Sequence, residues 1–288
     1  MADYVILTDS SCDIDPELLA RWEVPFVSLT VKFDDEKESF ANFDRPFPDF
    51  YRKMRDGGVA RTAAVNIDDF LRTFEPLLKQ GKDLLYIGFS SGLSTTVNSG
   101  AMAAAELMEQ YPERKIVTVD TYAASAGFGM LVYLAVQEKE RGATLEQAAK
   151  FVEDTRFHLC HWFTVDDLVY LKRGGRVSAA AAFVGGLLGI KPVLHMDDPG
   201  HLIPMFKVRG RKASIKALAD KYGELALDRE NGTVFISHGD CLGDAKLLEN
   251  MLAERYGAKV ELITYVGPVI GSHSGPGTLA LFFVGRER

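Results

Sequence analysis

The chain has 288 residues, a length that predicts two domains rather than one. Hydrophobic residues make up 47% of it, charged residues 25%, and the net charge is -7. An acidic chain without a broad basic surface is not the composition of a nucleic-acid-binding protein. The three cysteines are far apart and form no CxxC pair, which excludes a disulfide framework and a zinc site and favours a reducing compartment.

The N-terminus lacks the apolar segment of a signal peptide. The longest apolar stretch, residues 179–190, contains three glycines and is too short to span a bilayer. We therefore expect a soluble, cytoplasmic protein with no membrane span and at most transient membrane contact, no metal and no cofactor.

Short apolar runs alternate with amphipathic stretches along the chain. Buried strands are predicted at residues 4–7, 83–89, 115–119, 232–237 and 259–265. Helices are predicted near residues 67–79, 97–109, 126–140, 144–156, 211–226 and 243–256. This alternation predicts an α/β fold with parallel strands joined by crossovers. Residues 198–200, Asp-Pro-Gly, predict a hairpin turn within a second domain that starts near residue 160.

Residues 88–96, GFSSGLSTT, follow a predicted strand and precede a predicted helix. Ser94 is placed to cap that helix, and the free N–H groups of a helix start suit an anion. The same segment also matches the GxSxG pattern of hydrolases, with Ser90 as nucleophile and His273 downstream. A plain cap, an anion-binding cap and a catalytic serine all remain open from the residues alone.

Residues 267–277 are rich in glycine and contain a single histidine, His273. Glycines let the backbone approach a ligand closely, so His273 either binds a ligand or closes a turn. Residues 171–176 form a cationic cluster, which is continued downstream by Lys191, Lys207, Arg209, Arg211 and Lys212. This cluster either binds an acidic partner or phosphate, or it is an ordinary solvated surface. Residues 179–190 form either a buried helix or the wall of a tunnel for an apolar ligand.

Taken together, these motifs resemble the DegV family of bacterial fatty-acid-binding proteins over nearly the whole chain. The resemblance is carried by TDSSCD, FSSGLS, VDTYAAS, VDDLVYLKRGGRVS, GIKPVL, KVRGRKAS and VGPVIGSHSGPG, in this order. It implies a two-domain DegV-like fold, with a parallel sheet in residues 1–159, a mixed sheet in residues 160–288 and the fatty acid between them. It also implies a carrier of long-chain fatty acids, not an enzyme, which presents the carboxylate to a fatty acid kinase for acyl-phosphate formation and phospholipid synthesis.

The resemblance also implies residue roles. The carboxylate would be bound by Thr62, Ser94 and His273, with Ser91 and Thr95 beside them. The acyl chain would be lined by Phe183, Leu187, Leu188, Ile190 and Ile270, and the kinase would face Arg173, Arg176 and Arg209. We expect hydroxyls and an imidazole, rather than a cation, to hold the head group. Residues 62–66, TAAVN, depart from the family pattern Thr-Ser-Gln-Pro-Ser, and Thr95 stands where the family commonly has glycine. A serine hydrolase using Ser90 and His273 is the alternative function.

Overall fold

In the computed structural model, residues 4–177 and 189–288 are described, and their strands form three sheets. The first is parallel, in the order β2-β1-β6-β7: β1 (Tyr4–Asp9), β2 (Phe26–Val27), β6 (Asp83–Gly88) and β7 (Ile116–Asp120). The second is antiparallel, in the order β4-β3-β5: β3 (Thr30–Phe33), β4 (Phe40–Ala41) and β5 (Ala60–Ala63).

The third sheet is mixed and has the order β10-β9-β8-β13-β11-β12. Its strands are β8 (Leu159–Thr164), β9 (Ile190–Met196), β10 (Leu202–Arg209), β11 (Val234–His238), β12 (Leu262–Tyr265) and β13 (Leu279–Val284). Only β11 and β12 pair in parallel, and β9 and β10 form the predicted hairpin around residues 198–200.

Ten α-helices are described, together with a short 3₁₀ turn at Ser10–Cys12. The helices in the first half of the chain are α1 (Pro16–Arg21), α2 (Phe47–Arg55), α3 (Ile67–Lys79), α4 (Thr96–Gln110), α5 (Ser125–Glu140) and α6 (Leu145–Thr155). Those in the second half are α7 (Val169–Gly174), α8 (Arg211–Leu225), α9 (Leu242–Tyr256) and α10 (Pro268–Ser274). In the part of the chain that the structure describes, no helix has the length and apolar character needed to cross a membrane.

Local sequence signals account for where several helices begin. Asn66 Oδ1 accepts a hydrogen bond of 2.9 Å from the Asp69 amide, so α3 starts where an N-cap residue precedes the amphipathic pattern. Thr144 and Gln147 form a reciprocal capping box at the start of α6. Both helices lie within one residue of their predicted bounds because cap and hydrophobic period agree there.

The two faces of the mixed sheet pack against different parts of the protein. Trp162 and Phe283 belong to a core cluster that includes side chains of α8 and α9. The alternate residues Phe163 and Phe282 belong to the main core cluster, which also contains side chains of β1, β6 and α5. Because successive side chains of a strand point to opposite faces, the mixed sheet packs on helices with one face and on the rest of the chain with the other.

The predicted fold class is confirmed: a parallel sheet is built from residues 4–120 and a mixed sheet from residues 159–284. Helix α5 packs against strands of both sheets, which joins the two halves through one core. The division into domains 1–159 and 160–288 stays a prediction.

Candidate functional site

A cavity of about 360 Å³ lies between segments from the two halves of the chain. Pockets that hold small ligands have volumes of roughly 300 to 1,000 Å³, so this cavity is of ligand size. Phe89 and residues 91–95, which follow β6, and residues 124–125, which follow β7, contribute to its wall. The cavity therefore lies beyond the carboxyl ends of parallel strands, where α/β sheets bind ligands.

Thr62 and His273 meet in the cavity wall although they are 211 residues apart in the sequence. Thr62 Oγ1 and His273 Nε2 are joined by a hydrogen bond of 2.8 Å. Burial, together with the nearby charge of Arg176, lowers the pKa of His273 from 6.5 to about 4, so the imidazole is neutral at neutral pH. A neutral ring that donates from Nε2 to Thr62 leaves the threonine hydroxyl proton available to a ligand.

The close approach of α7 explains one glycine of the Gly-Gly motif. A Cβ atom on Gly174 would clash with Nδ1 of His273. A Cβ atom on Gly175, in contrast, would meet nothing within 4 Å, but this residue adopts a φ of +68° directly after α7. The first glycine therefore makes room for the imidazole, and the second ends the helix.

Ser94 was predicted to cap α4, but it lies one residue before the N-cap position, which is held by Thr95 without a side-chain capping bond. Ser94 Oγ accepts a hydrogen bond of 3.2 Å from the Thr96 amide and pairs with Thr96 Oγ1 at 2.9 Å. Thr96 Oγ1 in turn accepts from the Val65 amide at 3.3 Å. These bonds tie the turn before α4 to the loop after Thr62, and both line the same cavity.

Arg176 is half-buried and lines the cavity with His273. Its Nε donates to the Leu93 carbonyl at 3.3 Å and its Nη1 to the Gly174 carbonyl at 2.5 Å. A guanidinium held in this way places a positive charge at the polar end of the cavity. The sequence analysis expected no cation at the head group, so this guanidinium in the cavity wall was not anticipated.

The predicted site residues divide into three groups. Thr62, Ser91, Ser94, Thr95, His273 and Ile270 all line the cavity, as does Arg176, which was predicted to face the kinase. Arg173 and Arg209 are exposed and do not line it, and Ile190 pairs with Arg209 at the start of β9, outside the described lining. Phe183, Leu187 and Leu188 lie outside the described residues.

Ser90 does not have the surroundings of a nucleophile. It is fully buried, and its Oγ donates to the Gly200 carbonyl at 2.8 Å and accepts from the Gly92 amide at 3.2 Å. His273 pairs with Thr62 instead, and the described contacts contain no bond between Ser90 and His273. Ser90 therefore joins the turn after β6 to the tip of the β9–β10 hairpin, and its geometry does not favour a serine hydrolase.

Apart from Ile270, the apolar side chains of the described wall were not predicted from the sequence. They lie largely on one face of the mixed sheet and on neighbouring loops and helices, and include Phe89, Phe163, Met196, Leu202, Val269, Ala280 and Phe282. Alternate side chains of β8 and β13 point to the cavity, and this alternation could have identified them. However, the side chains on both faces of these strands are buried. Such strands give nearly continuous hydrophobic runs, which do not reveal which face borders a cavity.

A buried polar chain also reaches the wall. Ser125 Oγ donates to Asp13 Oδ2 at 2.5 Å and pairs with Ser237 Oγ at 3.0 Å, and both serines line the cavity. Asp13 is fully buried, and this burial raises its pKa to about 8 despite the hydrogen bond from Ser125. Asp13 is therefore largely protonated at neutral pH. In residues 4–177 and 189–288 no cluster of three or more His, Cys, Asp or Glu side chains is placed to hold a metal ion.

Comparison with known proteins identifies relatives over the full length of the fold. A family model described as "Uncharacterised protein, DegV family" matches residues 3–286. A DegV domain-containing protein of Clostridium perfringens is 43% identical, covering 100% of this chain and 99% of the relative. A solved DegV lipid-binding protein of Thermotoga maritima is 31% identical, with a TM-score of 0.87 and coverage of 99% of both chains.

A second solved structure, described as showing fatty acid binding of a DegV family protein from Thermus thermophilus, is 30% identical. It has a TM-score of 0.88 and covers 98% of this chain and 99% of its own. The family match, the sequence identity and the shared fold all span the two sheets and the cavity between them, and the chain belongs to the DegV family.

Proposed function

We propose that this protein binds a long-chain fatty acid, with the acyl chain in the cavity and the carboxylate beside Thr62, Ser94 and His273. The observation that carries the proposal is the division of the cavity wall: one end has hydroxyls, a neutral imidazole and the Arg176 guanidinium, and the rest is mainly apolar. A fatty acid has the same division between head and tail.

The tail supplies most of the binding energy in this proposal. About fifteen methylenes at about 0.8 kcal/mol each contribute on the order of 12 kcal/mol before the costs of association. Each head-group hydrogen bond adds only about 1 kcal/mol, or somewhat more when its acceptor is charged. Thr62, Ser94 and Arg176 therefore chiefly orient the carboxylate.

The relatives support the same ligand class. The Thermus thermophilus protein is described as binding fatty acid and the Thermotoga maritima protein as binding lipid, and both are at least 30% identical to this chain. A ligand of this class in the cavity would be enclosed by segments from both halves of the chain.

Extraction of the purified protein tests the proposal directly. Organic solvent should release one fatty acid per chain, identified by mass spectrometry, and the emptied protein should take up palmitate or oleate. A protein that yields no fatty acid and takes up neither acid would overturn the proposal.

We further propose that the bound carboxylate is presented to a fatty acid kinase, whose ATP phosphorylates it to an acyl phosphate with release of ADP. Thr62 and Arg176 would lie at the carboxylate end, and the DegV resemblance assigns the kinase contact to Arg173, Arg176 and Arg209. Arg173 and Arg209 are exposed and so accessible to a partner. Exposed charges of this kind mainly affect the rate and specificity of association.

Reversing the charge of Arg209 distinguishes docking of the kinase from binding of the fatty acid. Arg209→Glu should lower acyl-phosphate formation by a DegV-associated kinase at least tenfold, while fatty acid content stays at one per chain. Arg229→Glu is the matched control, because Arg229 is also exposed and follows the opposite end of α8. Equal phosphorylation by both variants and the wild type would reject the docking role of Arg209.

A further inference from the structure

The cavity wall contains a polar group that an unsubstituted acyl chain cannot satisfy. His161, on β8, lines the cavity and has a relative exposure of only 3%. Its ring stands edge-on to Phe282, with ring centroids 5.4 Å apart. Nε2 of His161 is buried and has no hydrogen-bond partner among the described residues.

The free nitrogen of His161 is an acceptor. Nδ1 lies 3.1 Å from the Leu159 carbonyl oxygen, which can only accept, so Nδ1 carries the proton. Burial lowers the pKa of His161 well below 6.5, which keeps the ring neutral. Nε2 therefore presents a lone pair that requires a donor, and a buried acceptor without a donor is costly.

Hydrogen-bond donors lie at the same part of the wall. Helix α5 begins at Ser125, and its N-cap residue, Ala124, offers no side-chain hydrogen bond to the amides of the first turn. Both residues line the cavity. Gly127, in that first turn, passes so close to His161 that a Cβ atom on it would lie 2.7 Å from Nε2. The first turn of α5 therefore packs directly against the Nε2 edge of the imidazole.

We propose that His161 and the start of α5 form a subsite for a hydroxyl group on the acyl chain, so that the preferred ligand is a hydroxy fatty acid. This inference rests on the proposed fatty acid site and specifies its ligand. A hydroxyl donates one hydrogen bond and accepts others, which matches an imidazole acceptor beside helix N–H donors. Ser237 also lines the cavity, and its hydroxyl pairs with the hydroxyl of Ser125 at the start of α5.

The position along the sheet indicates where the hydroxyl would be. His161 pairs with Phe282, whereas Thr164 pairs with Leu279 at the end of β13 that follows the His273 loop. Three residues of strand correspond to about 10 Å. The hydroxyl therefore belongs in the middle of the acyl chain, not next to the carboxylate.

Competition between two ligands tests the subsite. The emptied protein is incubated with an equimolar mixture of stearic acid and 10- or 12-hydroxystearic acid, and the bound acids are measured by mass spectrometry. We expect the wild type to retain at least one hydroxy acid over stearate by roughly tenfold, and His161→Phe, which keeps a ring against Phe282, to reverse that preference without losing stearate.

His195→Phe is the matched control. His195 is similarly buried, with an exposure of 7%, but it stacks on Trp162 on the opposite face of the sheet and does not line the cavity. This variant should keep the wild-type preference. Binding of stearate without preference for either hydroxy acid, or an equal preference in His161→Phe, would overturn the subsite and leave the fatty acid site intact. Failure to bind any of the three acids would instead overturn the fatty acid site.

Nitrogen NMR of the wild type provides a second readout that needs no variant. In protein labelled with ¹⁵N-histidine, the Nε2 resonance of His161 should shift when hydroxystearate replaces stearate, because its lone pair gains a donor. An unchanged resonance with hydroxystearate bound would reject the contact.

Discussion

At the scale of single residues, the polar end of the cavity depends on partners that are far apart in sequence. Thr62 lies on β5 and His273 on α10, yet one hydrogen bond of 2.8 Å joins them. Ala64 and Val65, which depart from the family pattern, do not disturb this arrangement: Ala64 lines the cavity and Val65 is buried with its amide bonded to Thr96.

Removing the Thr62 hydroxyl should weaken head-group binding. Thr62→Val keeps the shape of the side chain but removes the hydroxyl proposed to donate to the carboxylate, which costs about 1 to 2 kcal/mol, or roughly five- to thirtyfold in Kd for oleate. Isothermal titration calorimetry on the emptied protein measures this change. Thr30→Val, in β3 of the same sheet and outside the cavity lining, should bind oleate like the wild type. Equal affinity in both variants would contradict the role of Thr62.

Asp13 should make stability depend on pH. Its folded-state pKa of about 8 exceeds the ordinary aspartate pKa of 3.8, so the folded chain holds a proton that the unfolded chain has already lost. The free energy of unfolding therefore falls by about 1.4 kcal/mol per pH unit through this window, and the loss stops above the folded pKa.

Urea titrations at pH 6.5 and pH 8 measure this effect. The wild type should lose about 1 to 2 kcal/mol between these values. Asp13→Asn, which cannot ionise but retains a hydrogen-bonding side chain, should lose much less. A wild type with equal stability at both pH values would show that Asp13 is not protonated in the folded chain.

At the scale of elements, α7 and α10 position the proposed head-group site by packing against each other. The contact brings Gly174 against the His273 ring and places Arg176 across from Leu93. A helix as short as α10 shows too little of the hydrophobic period to be predicted from the sequence. Its glycines and its histidine were nevertheless recognised as a candidate site.

The two glycines after α7 should respond differently to alanine. Gly174→Ala introduces a Cβ against His273 Nδ1 and should disrupt the bond to Thr62, lowering oleate affinity by tenfold or more. Gly175→Ala meets no neighbour but must adopt a positive φ, which should cost about 1 to 2 kcal/mol of stability and leave affinity unchanged. Calorimetric binding and thermal unfolding of both variants distinguish the effects. Equal affinities would contradict the steric role of Gly174.

At the scale of the whole molecule, one hydrophobic core joins the parallel sheet to the mixed sheet, and the cavity lies within that core. The same cluster that contains Ile87 of β6 also contains Phe163 and Phe282 of the mixed sheet, and the last two line the cavity. A ligand there would contact both halves at once, so binding and the stability of the whole fold should be linked.

Fatty acid should therefore raise the melting temperature of the entire chain. At a free concentration of one hundred times Kd, linkage adds about 2.7 kcal/mol, which corresponds to a shift of about 4 to 5 °C for a chain of this size. Calorimetry of emptied and reloaded protein measures the shift. Octanoate, with a tail too short to fill the cavity, should produce a smaller one at equal concentration. No shift with any acid would contradict binding in the core.

The sequence by itself determined the elements with strong local signals and named most of the residues proposed here for the head-group site. The period of α3 and its Asn66 cap, the runs of β1, β6 and β7, and the turn at residues 198–200 are local properties, and the structure has them where they were predicted. Only the tertiary structure decided which residues share a wall. Arg176 lines the cavity beside His273, Ser90 bonds to Gly200, and His161 packs against the first turn of α5, because contacts between distant segments depend on how sheets and helices pack and not on any period along the chain.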